Sequence, residues 1–173
     1  MSDSRVFIRP PTPEDGNAFL SAARESRALH GQWIHPPLTR SEFDLYLERF
    51  QQPDHQSRLI CLHDTGALVG VINLNNIIRG YFQNSFLGFY AFLPHAGCGL
   101  MLEGLQLVAQ EAFTSLDLHR LEANIQSENR RSIQLVQRTG FSREGFSPNY
   151  LRIAGVWRDH ERWALLKDDP PTG

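Results

Sequence analysis

The chain has 173 residues, 41% of them hydrophobic and 21% charged, with a formal net charge of -2 and an isoelectric point near 6.4. That size suits one domain with its own core. The near-neutral balance gives no support to direct nucleic-acid binding, which normally needs a basic surface. No apolar run approaches the roughly 18 residues of a membrane span, and Met1-Ser2-Asp3-Ser4-Arg5 lacks the basic and apolar regions of a secretion signal. A cytoplasmic protein without a membrane partner is expected. Two cysteines, Cys61 and Cys98, and scattered histidines point to neither a disulfide framework nor a metal. Without repeat or linker, residues 1–173 read as one domain, with 168–173 as a frayed tail.

Val6-Phe7-Ile8-Arg9 reads as a first strand, stopped by Pro10-Pro11. Thr12 can cap a helix with Pro13 in its first position. Thr39 and Glu42 form a second start, a capping box, and Phe43, Tyr46, Leu47 and Phe50 give that helix one apolar face. The loop between the two starts carries Trp33, His35, Pro36 and Pro37. Arg58 to His63 and Leu68 to Asn75 read as a hairpin around Asp64-Thr65-Gly66, and Phe86 to Phe92 as a further strand. After Pro94 comes a glycine loop. A helix follows from Leu100, with Met101, Leu105, Val108 and Ala112 on one face. Leu121, Ala123 and Ile125 alternate as in a strand, Asn129 caps another helix, and Gly140 stops it. Tyr150 to Ile153 and Val156 to Leu166 close the chain as a hairpin around Ala154-Gly155. The expected fold class is α/β (α+β): a central mixed, mostly antiparallel twisted sheet flanked by about four helices.

The chemically informative stretch is strand, His95-Ala96-Gly97-Cys98-Gly99-Leu100-Met101, then helix. Glycines let a backbone turn tightly and approach a ligand. A helix start offers unpaired N–H groups and partial positive charge, which suits a phosphate. Alone, Gly-x-Gly before a helix is a weak signal and reads first as a tight turn. It is not a Walker loop, and the third glycine of a dinucleotide fingerprint is absent near Leu102.

Three segments together resemble the coenzyme A half of GNAT acetyltransferases: the glycine loop, Asn129-Arg130-Arg131-Ser132, and Thr139-Gly140-Phe141-Ser142-Arg143-Glu144-Gly145. Asn73 to Gly80 and Tyr150 to His160 are further similar to the RimJ/RimL group, the ribosomal-protein-alanine N-acetyltransferases. The resemblance runs from Arg9 to about Leu166. It implies a single GNAT-type domain, acetyl-CoA as cosubstrate, no metal, and transfer of acetyl to a primary amine by direct attack. The implied acceptor is a protein N-terminus, with a ribosomal protein as the implied substrate. A homodimer is possible for the family. Two other readings stay open: a small-molecule amine acetyltransferase acting on an aminoglycoside, polyamine or amino acid, and a non-catalytic acetyl-CoA-binding or ribosome-associated protein.

Carried over, the pyrophosphate loop is Ala96, Gly97, Cys98, Gly99, Leu100 and Met101, although the family usually has Gln or Arg where Ala96 stands. The strand end around Tyr90, Phe92 and Leu93 would pair with the pantetheine arm, with Asn129 and Ser132 beside it. Many members have a tyrosine where Val136 stands, so Ser132 becomes the candidate proton donor to the leaving thiolate. Glu103 is the candidate base, or equally a first-turn helix acid turned away from the phosphates. Trp33, His35, Tyr150 and Trp157 are candidates for the acceptor cleft, with Trp163 a weaker one. His95, Cys98 and His160 are expected to have no catalytic part.

Overall fold

In the computed structural model, which describes residues 4–168, the chain forms one seven-stranded sheet in the order β1-β2-β3-β4-β5-β7-β6. The strands are β1 Val6–Arg9, β2 Gln56–Leu62, β3 Leu68–Ile78, β4 Asn84–Ala91, β5 Arg120–Gln126, β6 Ser142–Ile153 and β7 Val156–Leu166. The helices are α1 Gly16–Glu25, α2 Arg27–His30, α3 Arg40–Arg49, α4 Leu100–Thr114 and α5 Arg130–Thr139. All neighbouring strands are antiparallel except β4 and β5, which are parallel and joined through α4. The expected mixed sheet is therefore present. The expected tail lies, apart from Asp168, outside the described residues.

Local chemistry explains most boundaries. Thr39 and Glu42 bond reciprocally, with Glu42 N–H donating to Thr39 Oγ1 at 3.3 Å and Thr39 N–H donating to Glu42 Oε2 at 3.0 Å. Thr12 does not open α1 directly. The Asp15 carboxylate accepts from Thr12 N–H at 2.7 Å and pairs with Arg9 at 2.6 Å, which shapes Pro13–Asp15 as a 3₁₀ turn before α1. One more short helix exists than expected. The buried Ser26 hydroxyl donates to the Ala22 carbonyl at 2.6 Å, and the chain restarts there as α2. The closing turn has positive φ at Ala154 (47°) and Gly155 (81°), as a two-residue hairpin requires. β6 begins at Ser142, well before the expected Tyr150, because an exposed edge strand need not alternate. Its Pro148 is tolerated for the same reason.

The sheet separates two apolar layers. On one face α4 and α5 bury Leu105, Val108, Ile133 and Val136 against Ile60, Ile72 and Leu121. On the other, α1 and α3 bury Phe19, Phe43 and Tyr46 against Leu59, Cys61, Val71 and Phe92. The alternation of Leu59, Ile60 and Cys61 between the two layers is the period-2 pattern of a strand covered on both sides.

Gly70 on β3 lies opposite Ala91 at the end of β4. A Cβ there would stand 2.5 Å from the Tyr90 carbonyl oxygen and would also strike Met101 Sδ. The carbonyl is backbone and cannot rotate aside. Gly70→Ala is expected to destabilise the fold by about 1–3 kcal/mol, read from the denaturant midpoint. An unchanged midpoint would show that β4 can shift freely.

Candidate active site

The site begins where two strands part. β4 and β5 pair only from Asn84 with Arg120 to Phe86 with Glu122. β4 then stays on β3 through Ala91 with Gly70, and β5 stays on β7 through Gln126 with His160. Phe92 N–H donates to the Val69 carbonyl at 2.8 Å. Main-chain groups alternate sides along an antiparallel strand, so Phe89 and Ala91 turn theirs away from β3, into the gap. Two side chains meet this strand end, Ser26 from the α1–α2 break and His30 from the last position of α2. His30 Nε2 is 2.8 Å from the Ala91 carbonyl oxygen, and the Leu93 N–H donates to Ser26 Oγ at 2.9 Å.

A cleft of about 940 Å³ occupies the gap. On one side it is bordered by Leu29, His30, Trp33 and Ile34, on the other by Ala96, Gly97, Gly99 and Met101, with Asn129 and Ser132 beside them. Gly97 (φ 76°) and Gly99 (φ 79°) are left-handed, a conformation that other residues adopt at a cost. The first intrahelical bond of α4 runs from Glu103 N–H to the Gly99 carbonyl. The preceding N–H groups therefore have no helical acceptor. Turned glycines and free helix-start N–H groups make an anion cradle, and Arg131 and Arg138 border the same cleft. These residues fit the diphosphate of a nucleotide cofactor. Asn129 caps α5, its Oδ1 accepting from Ser132 N–H at 3.3 Å.

Several expected residues lie elsewhere. Phe92 (0% exposed) and Leu100 (6%) point into the core, so any part they take in binding is through backbone alone. Cys98 is exposed and its carbonyl accepts from Arg5. His35 is exposed outside the cleft border. Tyr150 and Trp157 stand on the part of the β6–β7 hairpin that projects past the last β5 pair, and Trp163 is buried. His30, Leu29, Ile34, Phe89 and Arg138 border the cleft without having been singled out from sequence. Arg138 and His30 carried the right chemistry, but their approach depends on tertiary packing.

Glu103 follows the second of its two expected readings, a first-turn acid turned away from the cleft. Its carboxylate pairs with Arg5 at 2.5 Å, accepts the Arg5 N–H at 2.8 Å and receives the Ser4 hydroxyl at 3.3 Å. Partial desolvation pushes the carboxyl up, but the Arg5 side chain and backbone bonds outweigh it and hold the group below the usual range. A carboxylate so engaged, and outside the cleft border, is poorly placed to act as a base. The same Arg5 reaches the Cys98 carbonyl at 3.2 Å, so the pair ties the glycine loop to the chain before β1.

With this geometry in view, comparison with known proteins decides the family. Residues 5–142 match the acetyltransferase (GNAT) domain. The chain belongs to the GNAT acetyltransferase family. It is an acetyl-CoA-dependent N-acetyltransferase. It is 35% identical over 172 residues to "Probable N-acetyltransferase YjcK" of Bacillus subtilis, covering 95% of each chain. It is 38% identical over 110 residues to the ribosomal protein uS5-alanine N-acetyltransferase of Escherichia coli, covering 64% of this chain and 57% of that enzyme. In fold it matches the spermidine N-acetyltransferase of Vibrio cholerae, solved with CoA and spermine, at a TM-score of 0.81 and 19% identity, covering 96% and 98% of the two chains.

For this GNAT domain, Gly99→Glu is expected to abolish acetyl-CoA binding while the circular dichroism spectrum stays native, and retained affinity would remove the phosphate-loop assignment. Arg5→Ala and Glu103→Ala should each raise the acetyl-CoA Kd by about fivefold, roughly 1 kcal/mol, with kcat kept and the double variant no worse than either single one. A fall in kcat for Glu103→Ala alone, with Kd unchanged, would restore Glu103 as the base.

Proposed function

We propose that this enzyme acetylates the N-terminal α-amino group of a protein in the cytoplasm, with an alanine- or serine-initiated ribosomal protein as the class of acceptor. The observation that carries this reading is the make-up of the cleft border. Among the described residues it holds no carboxylate, and its α2 side is Leu29, Trp33 and Ile34. A polyamine or aminoglycoside carries several positive charges and needs acidic partners once desolvated. A peptide N-terminus needs to present only one neutral amine and a small side chain. The uS5-alanine relative points the same way.

Bound acetyl-CoA would supply an acetyl thioester already activated toward amines. The chain's own residues then have modest tasks. Gly97, Gly99 and the first N–H groups of α4 hold the diphosphate, with Arg131 and Arg138 adding positive charge. The main-chain groups of Phe89 and Ala91 that face the gap orient the arm and steady the acyl oxygen. The Ser132 hydroxyl hands a proton to the departing sulfur, whose acid has an ordinary value of about 8.5 and needs little help. An α-amino group, at roughly 7.7–8.0, is already partly neutral near pH 7.

The test is acetyl-CoA-dependent thiol release against peptides beginning with alanine, serine or methionine, alongside aminoglycosides and polyamines. Turnover confined to alanine or serine peptides is expected. Turnover on the small amines alone would overturn the acceptor while leaving the reaction, and silence with acetyl-CoA bound would favour a non-catalytic binding protein.

A further inference from the structure

The reaction releases a proton from the attacking amine, and the cleft holds few groups able to take it. Among the described residues bordering the cleft, the titratable side chains are His30, Tyr90, Arg131 and Arg138. Burial, with a smaller push from Tyr46, raises the Tyr90 phenol well above its ordinary value, so it keeps its proton. Arginine has no lone pair to offer. His30 remains.

Its setting is specific. The residue is 5% exposed, and its ring stands edge-on to Tyr90 at 5.4 Å and near Phe92 at 6.1 Å, on the sheet face opposite α4 and α5. Nε2 lies 2.8 Å from the Ala91 carbonyl oxygen. A carbonyl oxygen only accepts, so Nε2 carries the hydrogen. In the neutral ring the lone pair is then on Nδ1. Desolvation lowers the imidazole below its ordinary value of 6.5, against a smaller opposing effect of the Ala91 bond, so the ring is neutral at pH 7. The diphosphate cradle borders the gap on the α4 and α5 face, and His30 borders it on the other, beside Leu29, Trp33 and Ile34. A proton acceptor belongs on that side.

We propose that His30 is the catalytic base, its Nδ1 taking the proton of the acceptor amine while the Nε2–H bond to Ala91 fixes the tautomer. The amine lone pair forms the C–N bond, the C–S bond breaks and its electron pair leaves with sulfur. The amine proton passes to Nδ1 and from the imidazolium to water. The departing thiolate takes a proton from the Ser132 hydroxyl, which regains one from water. The proposal rests on the acetyl-transfer reaction and not on the identity of the acceptor.

His30→Gln tests it, because the glutamine amide can still donate to the Ala91 carbonyl but has no basic nitrogen. With whichever amine the wild-type enzyme turns over, kcat should fall by about 10²-fold or more, with acetyl-CoA affinity and melting temperature near wild type. Near-normal kcat, or a loss of acetyl-CoA affinity that accounts for the defect, would overturn the base and leave His30 a positioning residue. An independent reading needs no variant: ¹⁵N NMR of the wild-type imidazole should show the Nε2–H tautomer at neutral pH. A protonated Nδ1 would refute the proposal even if His30→Gln does not fold.

Discussion

The parting of β4 from β5 after Phe86 and Glu122 is the constraint on which the site depends. A buried strand edge with unpaired N–H and C=O groups is costly unless something satisfies it. The chain answers partly with its own side chains: His30 faces the Ala91 carbonyl and Ser26 accepts the Leu93 N–H. Ser26 is the break between α1 and α2, and His30 ends α2 one turn later with its N–H on the Ser26 carbonyl, so the kink and the open strand end belong to one arrangement. The remaining main-chain groups in the gap are left for a ligand that can pair like a strand. α4 and α5 pack on one face of the sheet, and α1 and α3 on the other.

Charge is arranged around that gap with economy. The left-handed glycines Gly97 and Gly99 and the cationic side chains Arg131 and Arg138 all border the cleft on its α4 and α5 side. An acid in the first turn of α4 would repel a bound diphosphate, and Glu103 is turned to Arg5 instead, which neutralises it and ties down the Cys98 carbonyl. The acceptor side is apolar, with a neutral histidine as its proton-accepting group. That distribution suits direct attack by an amine, because a strong base would be superfluous near the amine's own titration range.

Much of this was legible in the sequence where the cause is local. The Thr39–Glu42 box, the Asn129 cap, the Gly140 stop and the Ala154-Gly155 turn all depend on residues a few positions apart. The glycine loop was legible for the same reason. What escaped depends on distance or exposure. Arg5 meets Glu103 across 98 positions, and nothing near Glu103 announces it. His30 sits in a four-residue helix too short for any periodic signal, and the bond that gives it a tautomer comes from Ala91, 61 positions away. The early half of β6 is exposed on both faces, so it carries no apolar alternation to read. Tyr150 and Trp157 were candidates for the acceptor cleft as aromatics near the closing hairpin, and their stretch of hairpin overshoots the end of β5.

The two departures from the family's usual residues follow from the same geometry. Ala96 stands where Gln or Arg is common, yet the cradle is made of main-chain N–H groups, which any residue supplies. Arg131 and Arg138 bring side-chain charge from α5 instead. Val136 stands where many members have tyrosine, and here that position is fully buried in the layer between α5 and the sheet. A phenol added there would have to displace core side chains before reaching the cleft. The hydroxyl that α5 does bring to the border is that of Ser132, one turn earlier, beside the Asn129 cap that fixes the start of the helix. The helix thus brings a hydroxyl to the cleft while its next inward position is given to packing.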